Sequence, residues 1–175
     1  MRTLIEGSFL FWRKFKMSMK YEISRFPVAQ PSRLLATNGG AHILSCELST
    51  DAWNGAIIGL GDYLGFEYYE EVEPTEFEAV VVDKMASGGY LVEVTKADNA
   101  WLVYNPPVVE AEWTNDFKQE KNFYLKAGVD MARCHQLTPH DIFELSADGF
   151  EGADVYVGAT ISGVSGKKPV VEASV

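Results

Sequence analysis

Histidine, cysteine and positive charge are all in short supply in this sequence, and each shortage excludes something. The only cysteines, Cys46 and Cys134, lie far apart. Two cysteines make no disulfide framework, and free cysteine packs as a small hydrophobe, so both are expected as buried thiols. That usage suits a reducing compartment or an assembled particle. The three histidines are His42, His135 and His140. None stands at a zinc-ligand spacing from another, and adjacent Cys134 and His135 would point to opposite faces of a strand. The same geometry argues against a Cys–His catalytic dyad, and there is no G-x-S-x-G elbow. No metal, no cofactor and no catalytic residue is expected.

Lys and Arg number 15 against 25 Asp and Glu, a formal net charge of -10. An acidic surface repels phosphate, so nucleic acid is excluded as a partner. No apolar run reaches the ~20 residues that span a bilayer. The N-terminus does not read as a signal peptide, because Glu6 and Gly7 interrupt its apolar run and Arg13, Lys14 and Lys16 follow. The glycine-bearing stretch from Gly163 to Lys168 lacks phosphate-loop spacing and reads as a hairpin turn.

What is present is a hydrophobic fraction of 47%, enough for a single packed domain in 175 residues. Charge is unevenly placed. Residues 1–20 hold Arg2, Arg13, Lys14, Lys16 and Lys20 against Glu6, a local +4, so the other 155 residues carry -14. This basic stretch also holds Phe9, Leu10, Phe11, Trp12 and Phe15. It reads either as a short amphipathic docking helix or as an upstream extension, with Met17 or Met19 as the alternative start.

Residues 21–40 form an extended segment marked by Pro27 and Pro31, which disfavour helix. From residue 41 to 175 short β-runs alternate with turn residues. Strands are expected over 41–48, 56–60, 66–72, 77–83, 90–95, 101–104, 123–126, 130–134, 141–146, 155–161 and 169–173. Turns are expected at Asn38-Gly39-Gly40, Asn54-Gly55, Gly61-Asp62 and Ser87-Gly88-Gly89, and Asp98-Asn99 leads into the run over 101–104. Turn signals recurring every 8–12 residues or so predict an all-β domain, a single barrel or sandwich. Only residues 110–121 and the N-terminal arm offer helix-like text.

Carboxylates crowd residues 70–78 as Glu70, Glu71, Glu73, Glu76 and Glu78. A glycosidase needs two at a fixed separation across a cleft, and crowding alone reads as a solvated polar loop around Pro74. Trp53, Trp101 and Trp113 lie near acidic and amide residues, as in sugar-binding proteins, although strand aromatics more often serve cores and subunit contacts.

Three groups of residues carry a resemblance. Gly128, Ala132-Arg133, Leu137, Asp141-Ile142-Phe143 and the Asp148-Gly149 turn follow in order, closing on a short apolar strand. Upstream stand a run from Asn54-Gly55 through Ile57-Ile58 to Gly61, and then Trp101-Leu102-Val103 before Asn105-Pro106. This order resembles small tailed-phage proteins encoded beside the major capsid protein, over roughly residues 35–175. The resemblance implies a non-enzymatic virion protein, made in the host cytoplasm: a decoration or cement subunit that binds the major capsid protein in many copies and reinforces the lattice. An acidic body belongs on the capsid exterior, away from packaged DNA. Attachment would use an apolar patch or a sheet edge, together with the basic arm. Phe9, Trp12 and Phe15, then Trp113 and Phe117, are the candidate partner-binding residues, and self-association into a homo-oligomer is expected. The alternative is a carbohydrate- or receptor-binding β-module such as a head fibre or adhesin.

Overall fold

A computed structural model of the protein describes residues 27–106 and 124–173. The fold is all-β, as the turn spacing predicts. Its strands are β1 (Ala29–Arg33), β2 (Ile43–Glu47), β3 (Ala52–Trp53), β4 (Ile57–Gly65), β5 (Tyr68–Val72), β6 (Glu76–Lys84) and β7 (Tyr90–Asp98). They continue as β8 (Trp101–Val103), β9 (Tyr124–Leu125), β10 (Met131–Gln136), β11 (Ile142–Leu145), β12 (Glu151–Gly152), β13 (Thr160–Ser165) and β14 (Lys168–Val171). Two short 3-10 segments, Leu35–Gly40 and Ala147–Gly149, are the described helical turns. Among the described residues no helix is long and apolar enough to cross a membrane.

The strands build a seven-stranded sheet, in the order β1-β11-β7-β6-β13-β14-β12, and a closed barrel, β10-β2-β5-β4-β8. A two-stranded ribbon joins β3 to β9. Alternation along each strand decides which side chains enter which core. On β6, Phe77, Ala79 and Val81 turn inward, and on β7 Tyr90, Val92 and Val94 do the same. They meet Phe143 and Leu145 of β11 and Ile161 of β13. Sealing each of these larger side chains from water contributes roughly 2 kcal/mol.

The barrel has its own core of Cys46, Ile58, Leu60, Trp101, Val103, Ala132 and Cys134. Both cysteines are free and buried there. Neighbouring residues Ile57 and Leu102 turn the other way and join the core beneath the sheet. Successive residues of β4 and β8 therefore serve two cores, which seats the barrel on the sheet.

Several expectations need correction. The strand expected over 66–72 starts only at Tyr68, because Phe66 and Glu67 form the turn before it, and residues 35–40 of the expected extended segment form 3-10 turns. Gly61-Asp62 is not a turn but lies inside β4, which continues to Gly65. The glycines there serve close approach: a Cβ on Gly59 would fall 2.6 Å from the Glu73 carbonyl oxygen, and one on Gly61 would fall 2.8 Å from Val72 Cγ1. Residues 155–159 are loop, and the strand starts only at Thr160. Gly158, at φ 93°, bends the chain there while its N–H donates to the Val81 carbonyl at 2.7 Å.

Buried polar groups are matched by amide and carboxylate side chains that mimic backbone. Asn54 donates to the Asn105 carbonyl and accepts the Asn105 N–H, each at 2.9 Å. Asn99 pairs in the same two-way manner with the backbone of Leu60. Asp141 accepts the Leu35 and Thr138 N–H groups at 2.8 Å. His135 is the exception. It is 4% exposed, and neither ring nitrogen makes a hydrogen bond of ordinary geometry, the Tyr104 backbone offering only a weak contact. Strand alternation turns Cys134 into the barrel and His135 away from it, with the imidazole 6.0 Å from the Tyr104 ring. Burial, followed by the Arg133 charge, pushes the His135 pKa below its ordinary value of 6.5.

A histidine held neutral in the fold but free to protonate when unfolded stabilises the protein above its unfolded pKa. That contribution is lost as pH falls from 6.5 toward the lower folded value. His135→Phe should therefore flatten the pH dependence. Across melts from about pH 7 to about pH 5, the variant should gain on the wild-type chain as acidity rises. An unchanged difference in melting temperature over that range would contradict a buried neutral imidazole.

Candidate functional site

A cleft of about 680 Å³ opens where the barrel meets the sheet. Ser49, Asp51, Glu71, Glu73, Glu76 and Lys167 are among its polar lining residues. Its central feature is an ion pair that spans the junction. Lys167 sits in the two-residue turn between β13 and β14, at φ 67°, beside Gly166 at φ 51°. That left-handed pair is the backbone a tight hairpin requires. It confirms the expected hairpin turn.

The Lys167 ammonium lies 2.7 Å from Glu71 Oε1 and 2.9 Å from Oε2, and donates to the Thr50 carbonyl at 2.6 Å. Glu71 Oε2 also accepts the Ser49 N–H at 2.8 Å and the Ser49 hydroxyl at 3.0 Å. The side chains of Lys167 and Glu71 retain only 15% and 8% of their exposure. The backbone reinforces the contact, since the Ile57 N–H donates to the Lys167 carbonyl at 2.8 Å. Glu71 belongs to the barrel and Lys167 to the sheet, so the pair is a strut between them. Both groups are already occupied by protein partners, which suits a strut better than a general acid or base.

Two other carboxylates of this stretch share a different partner. Lys96 reaches Glu78 at 2.9 Å and Glu76 at 3.5 Å on the surface of the sheet. Asp51 accepts from the Tyr124 hydroxyl and from the Ala127 N–H, and these bonds, in that order, hold its carboxyl below the ordinary range. Among the described residues no group of three His, Cys, Asp or Glu side chains is placed to hold a metal ion. Of the tryptophans expected near a ligand face, Trp113 lies outside the described residues, and the other two sit in different surroundings. Trp101 is buried in the barrel core with its Nε1 donating to Asn99 Oδ1 at 3.1 Å, and Trp53 packs at 4.4 Å on the Tyr124 ring.

A second feature lies at the tip of the β4–β5 hairpin. Gly65 pairs with Tyr68, leaving Phe66 and Glu67 as a two-residue loop. Their φ angles are 52° and 70°. Asn-Gly is the common sequence for such a turn, and a bulky residue in this region is an outlier. Holding two non-glycine residues there costs about 1–3 kcal/mol each. Phe66 is nonetheless 91% exposed, with Tyr63 at 58% and Leu64 at 51% beside it. The Glu67 N–H donates to the Tyr63 hydroxyl at 3.1 Å, and the Tyr63 and Tyr69 rings meet edge-on at 5.3 Å. The tip is braced from within while its apolar groups face water.

Phe9, Trp12, Phe15, Trp113 and Phe117, the contact residues expected from the sequence, lie outside the described residues. Sequence reasoning missed both the strut and the tip. The strut has no local signal, because Glu71 and Lys167 are distant in sequence. For the tip the signal was Gly65 beside Phe66, a second glycine at which the chain can turn once Gly61 is read as strand. No protein-family model matches this chain, nor does any curated protein or solved structure.

Removing one member of the strut should be worse than removing both. Lys167→Met leaves a nearly buried carboxylate without its cation and should lower the unfolding free energy by about 3 kcal/mol in urea titrations. Adding Glu71→Gln should restore part of that loss. A single-variant loss below about 0.5 kcal/mol would mean that the pair behaves as an ordinary surface contact.

Proposed function

We propose that this chain is a non-enzymatic structural protein of a tailed-phage virion, a decoration or cement subunit that binds the major capsid protein on the outer face of the shell. The observation that carries this reading is a β-body with little free strand edge that presents Phe66, the most exposed large apolar side chain among the described residues, at the tip of one hairpin. The barrel has no free edge. The sheet ends on one side in β12, only two residues long, and on the other in β1, which contains Pro31. Short edges and edge prolines are the devices by which sheet proteins avoid building lattices of their own. A block of this kind reinforces a lattice made by another protein. The net charge of -14 outside residues 1–20 favours the exterior, where packaged nucleic acid does not repel it.

The strut supports the same reading. The cleft between barrel and sheet holds two nearly buried charged groups in mutual contact, and those contacts lock barrel to sheet. A rigid block suits reinforcement, because little ordering is required when it docks. Many weak attachments on one particle then act together, and copies seated side by side would form the homo-oligomeric layer.

Purified particles of the phage whose genome carries this sequence provide the test. The chain should appear in fixed stoichiometry with the major capsid protein, and particles lacking it should rupture at lower temperature. Particles without the chain in their protein inventory would overturn the proposal, as would saturable binding to an immobilised glycan with none to capsids.

A further inference from the structure

We propose that the β4–β5 hairpin tip is the attachment element, and that Phe66 enters an apolar pocket of the capsid protein whose rim carries lysine or arginine. The inference rests on the decoration reading and deepens it by naming the contact and the chemistry of its partner.

Three independent observations converge on the tip. Phe66 is the most exposed of the large apolar side chains among the described residues, and Tyr63 and Leu64 flank it. It stands in a left-handed turn that an Asn-Gly pair would form without strain. The hairpin requires this backbone but not an aromatic in it, so a phenylalanine kept there in full exposure points to a requirement outside the folded chain. The Tyr63 hydroxyl bond to the Glu67 N–H and the Tyr63–Tyr69 contact then hold the presented shape before any partner arrives. A preformed aromatic anchor docks with little loss of side-chain freedom, and such anchors dominate interface energetics.

Charge selects the partner. Asp62, Glu67 and Glu70 are exposed around the tip, and no lysine or arginine occurs between Asp62 and Asp83. This acidic collar disfavours an anionic lipid surface and a second copy of the same acidic hairpin. It favours a pocket with a cationic rim, which would also speed encounter and make binding sensitive to salt.

The test uses the full chain and capsid particles stripped of it. The double variant Phe66→Asn with Glu67→Gly removes the aromatic and relaxes the turn. It should melt about 4 °C or more above the wild-type chain, since strain is released, and bind particles at least about tenfold more weakly. Phe66→Trp, which keeps an aromatic anchor, should bind within about threefold of wild type. Asp62→Lys with Glu67→Lys should weaken binding and reduce its dependence on salt. Wild-type chain that binds particles no more tightly than the turn variant would overturn the attachment role while leaving the decoration reading intact. Wild-type chain that fails to bind particles at all would overturn both. A turn variant that melts below wild type would refute the strain on which the inference draws.

Discussion

The structure depends on the double duty of two barrel strands. Along β4 and β8, Ile58, Trp101 and Val103 fill the barrel, while Ile57 and Leu102 lie under the seven-stranded sheet. A strand can serve two cores only if both its faces are apolar, and these segments are apolar at successive positions. Neither β-body can shift against the other without uncovering one of those faces. The Glu71–Lys167 pair fixes the same junction at the cleft. A buried pair of this type stabilises less by its net attraction than by penalising any arrangement that separates its members.

From that rigidity follows the contrast between interior and surface. Asn54, which is buried, and Asn99, which is partly buried, substitute for backbone partners, and Asp141 closes the loop after β10 by accepting N–H groups from Leu35 and Thr138. The fold therefore leaves few polar groups unmatched, with His135 as the described exception. The sheet edges are short or proline-bearing, and the barrel has none. Against this closed body the β4–β5 hairpin stands out, because it exposes apolar groups in a backbone conformation that resists them.

Much of the architecture was legible in the residues, because period-two burial and turn chemistry are local. The alternation of Phe77, Ala79 and Val81, and the turns at Asn54-Gly55 and Ser87-Gly88-Gly89, mark their elements without help from the rest of the chain. Gly61 misled because glycine serves tight turns and close strand approach equally well, and only the position of Val72 distinguishes them. Phe66 misled in the opposite sense: a β-favouring aromatic occupies a turn normally written with asparagine and glycine. The strut was invisible because its members are distant in sequence, and a glutamate among five carboxylates gives no sign that it alone is buried. Burial of this kind is a property of sheet packing, not of local pattern.

The central claim is that a stiff, closed β-body meets its partner through one projecting tip. Amide hydrogen exchange, compared between the free chain and the chain on assembled particles, tests it most directly. New protection should concentrate at residues 62–69, with the core strands β6, β7 and β11 unchanged. Protection that instead appears along β1 or β12, with the tip exchanging as freely as before, would contradict it.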